Sequence, residues 1–212
     1  GKCDSVGNGG WSLNNINGLT GYTRYPDNSN GGDFLGAKLI TAIPLSTWVH
    51  VAVTYSGCET TGCTSMYIDG VAVSINEPIN NYGNGLGTNT DSIKIGTTLS
   101  AMSYKRMMNG QLDDIRVYDR VLTQSEITHL ASQRGVLGTP FEGLGDEQLW
   151  LCPSLQDGAN DLSGNDNDGV YQGGMGTITD VSNGGSLAYD FDGAADEINC
   201  GDIFDAPTDF SI

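Results

Sequence analysis

Positive charge is scarce in this chain. Its 212 residues hold nine Lys plus Arg against 26 Asp plus Glu, a formal net charge of −17. Such a surface repels nucleic acid and anionic membranes, because phosphates need cations opposite them. Histidine is scarcer still, at two residues, and the five cysteines form no Cys-x-x-Cys pair, which argues against a zinc site. No stretch is long and apolar enough to span a bilayer. Long aliphatic runs are few, so the strands are expected to be short. A Gly-x-Ser-x-Gly elbow and a histidine-paired nucleophile are both missing. No initiator Met or signal segment stands at Gly1, so the chain reads as a piece of a longer protein.

Turn formers are present in quantity. The 31 glycines, with many Asn and Asp, suit an all-β chain of short strands joined by many turns. The acidic excess has two readings: simple solubility, or binding of a hard divalent cation, since carboxylates and Asn carbonyls are the ligands calcium prefers. Cys58 and Cys63 flank a short loop between two expected strands and are expected to close it as a disulfide. Cys152 and Cys200 sit on two other expected strands and are placed to pair, with Cys3 left over or exchanging with one of them. Disulfides imply an oxidising, extracellular-type compartment.

Periodicity marks the strands. Val49, Val51, Val53 and Tyr55 alternate through Ser46 to Tyr55, which predicts a strand with one buried face. Asp69-Gly70 between the apolar arms Met66–Ile68 and Val71–Val73 predicts a type I′ hairpin. In Asn109 to Tyr118, Ile115 and Val117 share one parity and Arg116 and Tyr118 the other. Asp113 has the parity of Ile115, so its carboxylate is expected inward or at the rim, where it needs compensation. Thr123 with Glu126 three residues on forms a capping box for a short helix through Ile127, Leu130 and Ala131.

These motifs in combination resemble a known family. Asn109 to Ile127 follows the closing segment of laminin-G-like domains of the concanavalin A-like lectin/glucanase superfamily. Trp48, His50, Val51, Ala52, Val53 and Tyr55 with Tyr67, Ile68, Asp69 and Gly70 resemble a central block of the same family, and Ile93–Gly96 its next short strand. Asp161 to Gly169, Ser186 to Gly193 and Glu197 to Asp202 resemble its opening. The resemblance implies a concanavalin A-like jelly-roll β-sandwich of two antiparallel sheets with one short helix. It also implies that the pieces are out of order. Residues 1–135 read as the back portion, 136–147 as a Pro- and Gly-containing linker, and 148–212 as the front portion. A permuted single domain, a cut through a tandem array, and neighbouring copies completing each other all fit this order. The family's strand after Phe210-Ser211-Ile212 is not seen at either terminus, which implies a sheet edge open to a partner segment.

Carried over from the family, Asp113, Asp192 and the Gly193 carbonyl are the expected ligands of a calcium ion. The Asp161–Gly169 loop has a superficial EF-hand look through Asp161, Asn165 and Asp168. It lacks the closing Glu and the flanking helices, so a polar turn held by Asx bonds is the better reading. The glucanases of the superfamily use paired Glu residues; Glu59, Glu77, Glu126, Glu142, Glu147 and Glu197 show no such spacing, and the chain reads as non-enzymatic. His50 and His129 read as structural. Trp11, Tyr22, Tyr25, Tyr82 and Tyr104 lie in loop-like stretches and are the candidates for stacking on a sugar, while Trp48 and Trp150 look like core. The implied function is an extracellular, calcium-stabilised recognition or adhesion module of a longer repetitive protein. Its expected partner is a glycan or protein on the cell surface or matrix. Two alternatives stand beside it: a carbohydrate-binding module of a secreted polysaccharide-degrading enzyme, and a structural subunit of a homo-oligomer, fibre or surface layer.

Overall fold

The computed structural model describes residues 2–3, 10–16, 19–24, 34–58, 60–77, 79–80, 91–97, 107–133, 141–153, 158–180, 186–203 and 210–212. In chain order its strands are β1 (Lys2–Cys3), β2 (Gly10–Ile16), β3 (Leu19–Arg24), β4 (Phe34–Leu39), β5 (Val51–Tyr55), β6 (Thr64–Ile68), β7 (Val71–Val73), β8 (Ile75–Asn76) and β9 (Ile79–Asn80). There follow β10 (Lys94–Ile95), β11 (Asn109–Leu112), β12 (Ile115–Val117), the helix α1 (Gln124–Ser132), β13 (Leu149–Leu151), β14 (Val170–Gln172), β15 (Gly176–Asp180), β16 (Ser186–Asp192), β17 (Glu197–Asn199) and β18 (Phe210–Ser211). Every described pairing is antiparallel. With a single short helix among the described residues, this is the expected all-β, concanavalin A-like sandwich.

One sheet runs β1-β2-β3-β4-β8, with β9 also on β4, and another runs β18-β5-β6-β7. Shorter ladders join β10-β17-β14, β11-β16-β15 and β12-β13. The core between them draws Trp11, Ala37 and Leu39 from the first sheet and Val53, Tyr55, Met66 and Phe210 from the second. Val117, Leu149, Leu151, Tyr189, Phe191 and Ile198 complete it. Burial of so many large apolar groups, each contributing about 1.5–3 kcal/mol, drives the collapse of strands that average only a few residues.

The two sequence segments are interleaved. Four ladders pair a strand before residue 133 with one after residue 148: β10 with β17, β11 with β16, β12 with β13 and β5 with β18. Residues Phe210–Ile212 are not left as an edge. Phe210 faces Tyr55 and Ser211 faces Thr54 on one side, while Ser211 bridges to Tyr118 on the other.

Several local expectations hold and others shift. Asp69 and Gly70 have φ of 51° and 79°, the two positive values a type I′ turn requires. The turn also seats the helix: Gln124 Nε2 donates to the Gly70 carbonyl at 2.6 Å, and a Cβ on Gly70 would meet Thr128 Cα at 3.1 Å. The capping box is formed, with Glu126 N–H donating to Thr123 Oγ1 at 3.3 Å and Thr123 N–H to Glu126 Oε2 at 2.7 Å. The strand expected from Ser46 begins only at Val51, and Ser46 itself has φ 56°. That strand is buried on both faces, not one. Ala52 joins Tyr118, Leu122, Ile127 and Leu130 in a second cluster beneath α1. Trp48 and Trp150 are half-buried rather than core.

Candidate functional site

The stretch around β12 gathers a cluster of buried and half-buried charged groups. Asp114 has φ 52°, and this left-handed residue breaks the continuous strand expected from Asn109 to Tyr118 into β11 and β12. Beyond the break, Ile115 and Val117 face the main core as their parity requires. Arg116 and Tyr118 face the other way, yet they are buried too, at 5% and 1% exposure. What covers them is α1 and the segment 141–147, which the sequence marks as linker. Arg116 Nη1 donates to the Glu142 carbonyl at 2.9 Å, and Gln133 accepts from Glu142 N–H and donates to its carbonyl at 3.1 Å. Residues 141–147 are therefore a packed cover; 136–140 lie outside the described residues.

Burial of the Arg116 guanidinium opposes its charge, but Asp114 outweighs that opposition and holds its pKa above the usual value. Nε donates to Asp114 Oδ1 at 2.7 Å, and Glu147 lies 3.7 Å from Nη1. Trp150 completes the sandwich: its ring lies 4.4 Å beneath the guanidinium and its Nε1–H donates to the same Asp114 oxygen at 2.8 Å. Glu147 is itself anchored, accepting from Tyr118 OH at 3.0 Å, Leu144 N–H at 2.6 Å and Gly145 N–H at 3.0 Å. Burial pushes the Tyr118 hydroxyl well above its ordinary range, so it serves as a neutral donor. Asp114 orders Arg116 and Trp150, while Glu147 ties the cover to Tyr118. Glu147 was missed as a partner because Gly and Pro around it read as linker; a long-range partner for an Arg in a strand leaves no local pattern.

The expected calcium ligands are not brought together. Asn109 faces Asp192 and Leu112 faces Tyr189 in the β11–β16 ladder. Asp113 thus lies at the far end of the ladder from Asp192, roughly 13 Å along the strands at about 3.3 Å per residue. Asp113 Oδ1 accepts from Asp114 N–H at 2.8 Å and from the Cys152 thiol at 3.6 Å. Asp192 is exposed at the end of β16, where its Oδ1 accepts from Ala194 N–H at 2.7 Å and its carbonyl from Asn109 Nδ2 at 3.2 Å. Gly193, with φ 81°, follows it directly. Among the described residues no group of three or more His, Cys, Asp or Glu is placed to hold a metal ion. The donor set does not fit the ion it was assigned.

The Asp161 loop is the polar turn expected of it. Asp161 Oδ1 accepts from Trp150 N–H at 2.9 Å and Ser163 N–H at 3.0 Å, and Oδ2 from Ser163 Oγ at 2.7 Å and Asn167 N–H at 3.0 Å. Four donors saturate the carboxylate and leave it nothing for a cation.

Of the sugar-stacking candidates, Trp11 lies in β2 and is 3% exposed, its ring 5.7 Å from Phe210. A ring so covered offers no face to a sugar, and the loop assigned to it is a strand. Tyr22 lies in β3, with its side chain outside the described residues; Tyr25, Tyr82 and Tyr104 lie outside them entirely. The Cys58–Cys63 disulfide is formed, with Cα atoms 5.7 Å apart. Cys152 and Cys200, expected to pair, are both buried and are not joined to each other. Cys152 points at Asp113, and burial pushes the Cys200 thiol up to about 12, which keeps it protonated and inert. No helix among the described residues is long and apolar enough to cross a membrane.

The described strands form several antiparallel ladders in which the front and back segments interleave, consistent with a concanavalin A-like sandwich. Residues 4–128 match a laminin G family model described as concanavalin A-like lectin/glucanases superfamily. The chain belongs to that superfamily. Comparison with curated proteins and with solved structures returned no match.

Proposed function

We propose that this chain is a non-catalytic, extracellular recognition module, a single sandwich with its front segment following its back segment, and that its ligand is a protein surface. The family supports a carbohydrate- or protein-binding role in general. One observation favours protein: among the described residues every aromatic side chain assigned a burial is buried or half-buried, while the exposed large apolar ones are aliphatic. Ile40 and Leu45 are 64% and 80% exposed in the segment between β4 and β5. Aliphatic groups pack against protein but do not stack on sugar rings as aromatics do. Non-catalysis is supported by the engagement of Glu126, Glu147 and Glu197 in ion pairs or backbone bonds. The Cys58–Cys63 disulfide is compatible with an oxidising compartment.

The test is solid-phase binding to purified matrix glycoproteins before and after enzymatic deglycosylation, beside a glycan array. Binding that survives deglycosylation and weakens in Leu45→Lys is expected. Strong array hits, with binding lost on deglycosylation, would turn the reading to a carbohydrate-binding module.

A further inference from the structure

The segment that joins β4 to β5 passes from the first sheet to the second, and packed sheets stand about 10 Å apart. From Leu39 to Val49 no residue is charged, in a chain of net charge −17. Ile43 packs on the main core from the middle of this segment, while Ile40 and Leu45 on either side of it are exposed. Leu45 is the most exposed large apolar residue among those described. The next residue, Ser46, has φ 56°, a left-handed value that a residue with a Cβ seldom adopts. Thr47 Oγ1 donates to the Leu45 carbonyl at 3.5 Å. Backbone strain of this kind persists only where the surroundings enforce it, and here it shapes the turn that presents Leu45.

The two ends of the segment differ in charge. Exposed Lys38 precedes it on β4. Asp69, also exposed, stands at the other end, where its Oδ1 accepts from His50 N–H at 2.9 Å and its own N–H donates to the His50 carbonyl at 2.9 Å.

We propose that this segment binds a second copy of this chain, the two segments crossing antiparallel about a two-fold axis near Leu45. The inference rests on the reading that the ligand is a protein surface, and it names that protein. In a two-fold contact each patch meets itself, so an acidic patch repels its twin. A patch without charge escapes that cost. The antiparallel crossing also sets Lys38 of one copy toward the partner's Asp69, so the charged ends complement each other. A basic partner would be drawn instead to the acidic remainder of the surface. Ile40 and Leu45 supply the apolar contact. A stable dimer buries about 800 Å² on each partner, more than two aliphatic side chains and their turn provide, so the association is weak, on the order of 0.1 mM.

Sedimentation equilibrium of the chain from about 0.02 to 0.5 mM, at low and high salt, is the test. The mass is expected to rise with concentration from 22.3 kDa toward twice that value. Association is expected to tighten at least threefold, roughly, between about 50 and 500 mM NaCl, because salt screens the repulsion of two acidic bodies and leaves the apolar contact. Leu45→Lys is expected to weaken it about tenfold or more. Val170→Lys adds the same charge at an exposed aliphatic on β14 and is expected to change it less than about twofold. Both variants should keep the parent melting temperature, since each site is exposed. A monomer at every concentration, association that weakens with salt, or the same association in Leu45→Lys as in Val170→Lys overturns the second copy. The protein-ligand reading is decided apart from this: Leu45-dependent binding to a deglycosylated matrix glycoprotein upholds it even where the chain stays monomeric, and glycan-array hits with binding lost on deglycosylation overturn it.

Discussion

The guanidinium of Arg116 lies over the ring of Trp150, Cζ 4.4 Å from the centroid, and both groups donate to a single oxygen of Asp114. The three side chains form a closed unit: the carboxylate orients the indole, the indole covers the cation, and the cation neutralises the carboxylate. Removing the cation strands two carboxylates, Asp114 and the buried Glu147. Arg116→Ala is expected to destabilise by about 3–5 kcal/mol, the cost of breaking a buried pair from one side. Arg116→Lys recovers little, since an ammonium cannot reach Asp114 and the Glu142 carbonyl at once. Trp150→Phe keeps the ring and loses only the Nε1 bond, so about 1–2 kcal/mol is expected. Chemical denaturation of the three variants ranks them.

The hairpin turn at Asp69-Gly70 is a second place where one residue holds two elements. Gly70 has φ 79° and touches α1 where a side chain would begin. Gly70→Ala combines left-handed strain with a displaced helix and is expected to cost more than about 1 kcal/mol. Loss of melting temperature in this variant, absent in an Ala substitution at exposed Val71, checks it.

Acid should loosen the helix start. Arg120 and the Thr123 N–H hold the Glu126 carboxyl down to about 2. Its folded value lies below the unfolded one, so its contribution is present above the usual carboxylate range and lost as pH falls toward about 2. Glu126 is partly exposed and screened, so the effect is modest. Glu126→Gln is expected to flatten the acid limb of stability between about pH 4.5 and 2, with little change at pH 7 beyond the lost cap.

Calcium is expected to add no stability through Asp113, Asp192 and Gly193, which the β11–β16 ladder holds apart. The melting temperature should move by less than about 2 °C between excess calcium and chelator, and D113N and D192N should show the same small difference. A large calcium-dependent rise abolished by both variants would restore the site.

The cysteines separate into two classes. Alkylation of the native protein should spare Cys152 and Cys200, which react only on unfolding. Replacing Cys58 and Cys63 by Ser opens a short loop, and the chain-entropy cost is about 2 kcal/mol.

Ile115, Val117, the Asp69-Gly70 turn and the Thr123 cap were legible because each is written within a few residues: alternation, a two-residue turn, a box of four. The residue family was legible for the same reason. Asp113 sits at the rim beside buried Cys152, as its parity implied, but its separation from Asp192 along the β11–β16 ladder depends on long-range pairing that no local pattern carries. Trp11 was misread because sparse apolar spacing in a Gly/Asn-rich stretch hides a strand.

The local pattern by itself settled that this chain is β-rich, where its main turns fall, where its helix starts, and to which superfamily it belongs. Only the tertiary structure decided which strands meet, that 141–147 covers Arg116, and that Cys152 and Cys200 stay apart. Local elements depend on neighbours in sequence. Strand pairing and the burial of a charge depend on groups dozens of residues away, and no periodicity records them.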